Sequence, residues 1–377
     1  MITPAVLKAA AALMAQSAPT APELSPGFRV FMGKEEVKYG VDVPPSIDSL
    51  DLPPFRPRFP WWGPDLQTLA VLLQSSASDM APHTSERICF PMADRTGDIL
   101  LGMLDRPEEP MAGRPFVILT HGLTGCEDSV YMLSAARHLL NLGYTVLRLN
   151  VRGAGPSRAY CGEHYHVGRT ADFRRVLLQL PEELTRDGIV AIGYSAGGTM
   201  LLKYLGEEGS FSPLRAAATI CAPIDLVRNA RHMEKPRNWV YHNYILNGLR
   251  AESLGEGARL SDEERSVIRS ARSVFDLDER FIAPRHGFKN AEDYYSLCAP
   301  LHFMPEIRVP TMLLAACDDP WIPIEHYREF KWSDNPWLLP VMPSTGGHVG
   351  FHGHSSNRPW CDLAVEKFLA KVTTIEG

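Results

Sequence analysis

The sequence predicts an α/β fold: a mostly parallel central sheet flanked by helices, with a helical cap insertion. Three observations predict it. Short apolar runs alternate with amphipathic stretches from Arg114 onward, one gap between strands is too long for a single crossover helix, and one apolar run enters Gly193-Tyr194-Ser195-Ala196-Gly197 and then an apolar-striped helix.

Taken in order, the N-terminus has one lysine, an Ala-rich run and small residues, which reads as a short helix or tail and only loosely as a signal peptide. Pro44 to Pro64 is rich enough in proline to run as an extended arm over the body. RICFPMA (87–93) and DILLGMLD (98–105) flank a turn at Gly97 and read as an antiparallel hairpin. Six apolar runs bounded by Gly, Pro or charge follow as strands: FVILT (116–120), TVLRLN (145–150), GIVAIG (188–193), AAATIC (216–221), TMLLAAC (311–317) and LLPVM (338–342). The stretch 222–308 must carry its own structure, and its aromatic residues and helical runs such as SDEERSVIRSARSVF predict a cap. The division expected is an arm over 1–54, a core over 55–221 and 309–377, and a cap over 222–308.

Composition narrows the function. Hydrophobic residues at 45% and charged residues at 22% belong to a globular chain, and no run of about twenty apolar residues is present to span a membrane. A net charge of -6 without a Lys/Arg cluster gives no electrostatic footprint for nucleic acid or an anionic membrane. Seven scattered cysteines without a CxxC pair fit a reducing cytoplasm better than a disulfide framework, with secretion left open by the N-terminal run.

The chemistry concentrates at three strand ends. Glycines around Ser195 allow a tight strand-to-helix turn that lifts the hydroxyl clear of the sheet. A serine hydroxyl becomes a useful nucleophile only when a neighbouring base takes its proton. The chain then supplies carboxylates in Asp318-Asp319-Pro320-Trp321-Ile322-Pro323 and a histidine in Ser344-Thr345-Gly346-Gly347-His348-Val349-Gly350-Phe351, each after a strand and in the order Ser, Asp, His. Asp319, four residues before Pro323, is favoured over Asp318 as the acid that orients His348. His352 and His354 raise the alternative of a metal site, but HExxH and CxxC spacings are absent, so no metal is assigned. Two amides must hold an oxyanion, and the candidates are Ala196 and, in the turn His121-Gly122-Leu123-Thr124-Gly125, Leu123.

With PWWGPDLQTL (60–69), HGLTGCEDSVY (121–131), NVRGAGPS (150–157), YHVGRTADF (165–173), GYSAGG, DDPWIP and GGHVGF in order, the chain resembles the YheT-like and ABHD α/β-hydrolases of the AB-hydrolase-4 family over roughly 55–369. The resemblance implies an α/β-hydrolase fold, a triad of Ser195, Asp319 and His348, and carboxylesterase or lipase-like activity on small-molecule esters with short or medium acyl chains. It implies no cofactor, and in some relatives acyl transfer to an alcohol. Gly63-Pro64-Asp65 departs from the family pattern, and the role of that motif does not follow from the sequence. Pocket candidates are His121, Tyr194, Arg152, His166, Trp239 and Trp321. Arg152, His166 and Asp172 fit a hydrogen-bonded scaffold better than a pocket lining. The rival functions are an acyltransferase, a metal-dependent hydrolase and a non-catalytic binding protein.

Overall fold

The computed structural model describes residues 29–30, 50–73, 80–354 and 357–373. The N-terminal run and the first part of the proline-rich arm lie outside the described residues. The strands are β1 (Arg29–Val30), β2 (Thr84–Pro91), β3 (Ile99–Arg106), β4 (Phe116–Thr120), β5 (Val146–Leu149), β6 (Ile189–Tyr194), β7 (Leu214–Ile220), β8 (Thr311–Leu314) and β9 (Leu338–Val341). Helices of eight residues or more are α1 (Pro64–Leu73), α2 (Val130–Asn141), α3 (Thr170–Leu177), α4 (Ala196–Glu208), α5 (Leu226–Met233), α6 (Trp239–Ser253), α7 (Asp262–Ser270), α8 (Ala291–Cys298) and α9 (Trp360–Val372).

One sheet runs in the order β1-β2-β3-β5-β4-β6-β7-β8-β9 among the described residues. The expected hairpin is β2–β3, antiparallel from Thr84↔Arg106 to Pro91↔Ile99, and β3 pairs antiparallel with β5. From β5 through β9 every pair is parallel. The last strands are shorter than their apolar runs, although the Ala315 and Cys317 amides still bond the Val341 and Pro343 carbonyls beyond the end of β8.

Continuous apolar strands are needed because both sheet faces are covered. Phe116 and Ile118 of β4 face one layer with α3 and α4, whereas Val117 and Leu119 face the other with α2 and α9. Each fully buried Leu, Ile, Val or Phe adds about 1.5–3 kcal/mol relative to exposure. Residues between Leu226 and Ala299 supply most of a third cluster that also takes in Val167 and Ala196 at the start of α4 and packs against Leu123 after β4, which brings α5–α8 over the carboxyl ends of the strands, whereas Ala222, Ile224, Met304 and Ile307 belong to the sheet core.

In that stretch SDEERSVIRSARSVF is two helices, not one. Ser261 and Glu264 form a capping box that starts α7, the chain turns extended at Ala271, and Ser273 caps a new short helix at Val274. None of the helices among the described residues is long and apolar enough to cross a membrane.

Gly206 in α4 shows how tightly this segment docks. A Cβ there would lie 2.2 Å from the Phe303 carbonyl oxygen, a backbone atom that cannot swing aside. On a solvated helix face glycine to alanine gains up to about 1 kcal/mol. Here Gly206→Ala is expected to lose about 1–3 kcal/mol through overpacking. Denaturant unfolding checks this, and a raised midpoint would contradict the close approach.

Candidate active site

β6 ends at Tyr194 and α4 begins at Ala196, so Ser195 alone makes the turn, at φ 49° and ψ -122°. Few side chains accept this conformation, and the surroundings enforce it. The Ser195 amide bonds the Ile220 carbonyl at 2.8 Å, and the Ser195 carbonyl accepts from the Thr199 amide at 3.0 Å. A Cβ on Gly193 would sit 2.7 Å from the Gly197 carbonyl oxygen, and one on Gly197 would sit 2.5 Å from that of His121. Both glycines are therefore required by backbone-to-backbone contact, and the turn lifts the Ser195 hydroxyl clear of the sheet.

His348 Nε2 lies 3.0 Å from Ser195 Oγ, and its Nδ1 lies 2.9 Å from Asp319 Oδ2. Asp319 Oδ1 accepts from the Trp321 and Ile322 amides at 2.8 and 3.1 Å, which fixes the carboxylate on the loop after β8. An ionised Asp319 only accepts, so Nδ1 carries the proton and Nε2 is free to accept from the serine. The Trp321 indole stacks on the imidazole, with centroids 4.3 Å apart and planes at 19°. The neighbouring Asp318 is engaged elsewhere. It accepts from Thr345 Oγ1 at 2.6 Å and from the Gly347 amide at 3.0 Å, and so braces the histidine loop.

That loop also leans on α1. The His348 amide donates to Thr68 Oγ1 at 2.9 Å, and Gln67 exchanges hydrogen bonds with the backbone of His352 at 2.7 and 3.1 Å. A Cβ on Gly350 would come within 2.3 Å of the Gln67 carbonyl oxygen. Asp65 accepts from Tyr241 Oη at 2.7 Å and from Arg237 at 2.8 Å, which joins α1 to α6.

On the other side of Ser195, the turn after β4 carries Leu123. The Leu123 amide has no acceptor among the described residues, and Ala196, as the first residue of α4, has no intrahelical acceptor for its N–H. His121 is spent on holding this turn. Burial lowers its pKa to about 4; neutral, it accepts from the Val151 amide at Nε2 (3.2 Å) and donates from Nδ1 to the Gly122 carbonyl (2.8 Å). The Gly122 amide donates to Tyr131 Oη at 3.0 Å, and the Tyr131 ring packs on Tyr194 at 4.8 Å.

A cavity of about 150 Å³ opens at Ser195, with Leu123, Ala196, His121, His166 and Trp321 in its wall. Two pocket candidates are placed elsewhere. Tyr194 is buried on the opposite face of the sheet because side chains alternate along β6. Trp239 is 67% exposed, because Trp239 and the inward-facing Tyr241 point to different faces of α6. Tyr241, whose ring is 5.6 Å from Trp321, takes the inward position.

Arg152 touches the cavity, but its guanidinium is committed to Asp98 at 2.7 Å, Asp172 at 2.6 Å and Asp94 at 2.8 Å. This is the scaffold arrangement. His166 is packed against His286 at 4.6 Å and edge-on to Phe288, and burial lowers its pKa to about 3. His352 is buried beneath the arm near Trp61, whereas His354 is exposed.

Cys221, Asp319 and His348 each place one ligand atom within a 4.8 Å span. Their contacts have hydrogen-bond chemistry instead: burial raises the Cys221 thiol well above its ordinary pKa, its Sγ lies 3.7 Å from the Gly347 carbonyl, and it accepts from the Val349 amide at 3.4 Å.

Sequence reasoning missed Thr68, Gln67, Tyr131, Cys221 and the bracing role of Asp318. It also missed Asp278 in the cavity wall, on a π-helical turn at Asp278–Ile282; burial raises its pKa to about 7 and it accepts from Tyr295 Oη at 2.6 Å. For Thr68 and Gln67 the motif PWWGPDLQTL was a signal without a mechanism.

A strand-to-helix serine turn, a histidine and carboxylate at neighbouring strand ends, and helices above them define an α/β protein with a hydrolase-like site. The α/β hydrolase fold family matches residues 115–355, and the chain belongs to that family, in its YheT-like and ABHD branch. The chain is 30% identical to the phospholipase ABHD3 of Bos taurus over 240 residues, covering 63% of this chain and 58% of that protein. It is 29% identical to the putative esterase YheT of Escherichia coli over 68% of this chain and 76% of that protein. The medium-chain fatty acid ethyl ester synthase/esterase 2 of Saccharomyces cerevisiae is 30% identical over 68% of this chain and 62% of its own length. Matches to ABHD3 thus span less than two thirds of those relatives. The Pyrococcus furiosus esterase Pf2001 shares the fold, with a TM-score of 0.53 and 17% identity over 80% of this chain and 97% of its own.

The Arg152 cluster generates a stability prediction. Arg152→Ala leaves the Asp98 and Asp172 carboxylates buried with one partner fewer, and is expected to cost about 3–5 kcal/mol. Urea unfolding measures it, and a loss below about 1 kcal/mol, the usual worth of an exposed pair, would show that the cluster is not structural.

Proposed function

We propose that this chain hydrolyses carboxylic esters through a covalent acyl-enzyme, and the observation that carries the reading is the Ser195–His348–Asp319 hydrogen-bonded chain, with links of 3.0 and 2.9 Å, at the mouth of a largely apolar cavity. Ser195 Oγ attacks the acyl carbon as its proton passes to His348 Nε2. The Leu123 and Ala196 amides, in the turn after β4 and at the start of α4, receive the oxyanion. Asp319 and the stacked Trp321 face stabilise the imidazolium, which then protonates the departing alkoxide. Water repeats the sequence on the acyl-enzyme, returning its proton through His348 and releasing the acid.

Short or medium acyl chains suit the modest cavity. The reading treats 222–308 as a cap on a core of 55–221 and 309–377. A second reading, acyl transfer to an alcohol in place of water, draws support from the yeast relative, whose name carries both synthase and esterase. Product analysis with an alcohol competing against water separates the two.

Two experiments test the chemistry. Ser195→Ala should abolish both p-nitrophenyl ester hydrolysis and fluorophosphonate labelling, while EDTA leaves the parent's activity intact; labelling of the alanine protein would remove Ser195 from the mechanism.

The two carboxylates should separate cleanly. Asp319→Asn removes the acceptor that sets the imidazole tautomer and should cut kcat by about 10³–10⁴-fold. Asp318→Asn keeps an acceptor oxygen for the Thr345 and Gly347 donors and should cost about tenfold or less. Turnover at saturating substrate, after circular dichroism confirms folding, decides between them, and the reverse ranking would move the role to Asp318.

A further inference from the structure

Eight large apolar side chains are exposed among the described residues, and four of them gather on one rim of the molecule. Phe59 and Trp62 precede α1 and stand 70% and 60% exposed, with their rings edge to face at 5.3 Å. Trp239 and Val240 open α6 at 67% and 39%. The two segments are far apart in the sequence and meet at Asp65, which accepts from Arg237 at 2.8 Å and from Tyr241 at 2.7 Å. Trp62 and Trp239 lie within three residues of these partners, and a reach of about 3.5 Å per residue keeps the backbone of both close to the contact.

That rim borders the cavity at Ser195. Tyr241 packs on Trp321 at 5.6 Å, and Trp321 is the wall residue stacked on His348. Glu234, at the end of α5, also lines the cavity and is its one exposed wall residue among those described, so the cavity reaches the surface just ahead of Lys235 and Trp239. The charge there is mostly positive. Arg231 and Arg237 are matched by Glu292 and Asp65 at 2.9 and 2.8 Å. Arg56, Arg58 and Lys235 close no ion pair among the described residues, against Glu234 as the one acid of 55–65 and 231–240 left unmatched. The chain's net charge of -6 hides this local surplus, because the fold assembles it from two distant segments.

Tryptophans flanked by Arg and Lys settle at the boundary between hydrocarbon and headgroups, where one end of the side chain is apolar and the other wet. A second protein is the rival occupant. An aromatic side chain offers about 150–250 Å², so at these exposures the four residues present about 500 Å² of apolar surface. Each partner in a stable protein interface buries about 800 Å². A lipid surface sets no such minimum, because insertion strengthens with apolar area and anionic headgroups add to it. We propose that this rim docks on a phospholipid bilayer that carries anionic lipid, with Trp62 and Trp239 at headgroup depth and the cavity mouth at Glu234 turned toward the lipid. Docking itself needs no reaction at Ser195; its use, the passage of a bilayer-dissolved ester to the serine without crossing water, rests on the ester-hydrolase reading.

Co-sedimentation with vesicles of equimolar phosphatidylcholine and phosphatidylglycerol, set beside vesicles of phosphatidylcholine alone, tests the docking. The parent should bind the mixed vesicles, and bind the neutral ones at least about fivefold less. The W62A/W239A double variant should lose at least about tenfold in partition coefficient on the mixed vesicles. It should still hydrolyse p-nitrophenyl butyrate, presented below its solubility limit, at close to the parent's rate, since both tryptophans stand outside the cavity. A parent that ignores the vesicles, a double variant that binds them as the parent does, or equal binding to the two compositions overturns the docking. Sedimentation equilibrium covers the rival occupant: a parent dimer that W62A/W239A dissociates assigns the rim to a second copy and overturns it as well. If the parent leaves p-nitrophenyl butyrate intact, the ester-hydrolase reading fails. Vesicle binding then decides the docking alone, with circular dichroism as the control for folding.

Discussion

A single backbone conformation, Ser195 at φ 49°, organises this molecule. Such a residue costs of order 1–3 kcal/mol and persists only where its surroundings over-determine it. Here β6 fixes one side through its parallel partners, and α4 fixes the other through Met200, Leu201 and Leu205 in the core. The glycines at 193 and 197 allow the strand, the helix and the turn after β4 to close to backbone contact. A side chain at 197 would push the β4 turn, and with it the Leu123 amide, away from the serine, and one at 193 would push α4 off the strand.

The second organising device is polar and lies to one side of the sheet. Arg148 bonds Asp105 at 2.7 Å and the Glu127 carbonyl at 2.8 Å, while Glu127 receives Arg87 and Asn150. Arg152 draws Asp94, Asp98 and Asp172 together. These contacts tie the antiparallel hairpin to the loops after β4 and β5. NVRGAGPS is thus largely a framework motif: Arg152 contributes surface to the cavity but directs its charge at the hairpin.

Much of this was legible in the sequence because the physics is local. Strands buried on both faces read as unbroken apolar runs, and GYSAG between a strand and a helix has few other uses. The positions of Asp319 and His348 followed from chain order, since successive strands deliver their ends to one edge of a parallel sheet. What was not legible depends on helix phase and on long-range contact. Trp239 and Tyr241 differ only in which face of α6 they occupy, and the start of that helix, after a short 3-10 turn at Pro236–Asn238, has no strong signal. Thr68 meets His348 across 280 positions of sequence, and a threonine inside a helix announces nothing of the kind. The proline-rich segment was read as an extended arm over the body, whereas its continuation into α1 reaches the histidine loop.

That contact bears on where one functional unit begins. The family match covers 115–355, a span that holds Ser195, Asp319 and His348 but leaves out Pro64–Leu73. The backbone of His348 nevertheless rests on Thr68, and the loop beyond it rests on Gln67. A chimera that grafts the matched span onto a foreign leader would inherit Ser195, Asp319 and His348 while the imidazole lost the buttress behind it. Modularity in this protein therefore follows the hydrogen bonds across the sheet edge, and the smallest portable piece extends upstream to the proline-rich segment.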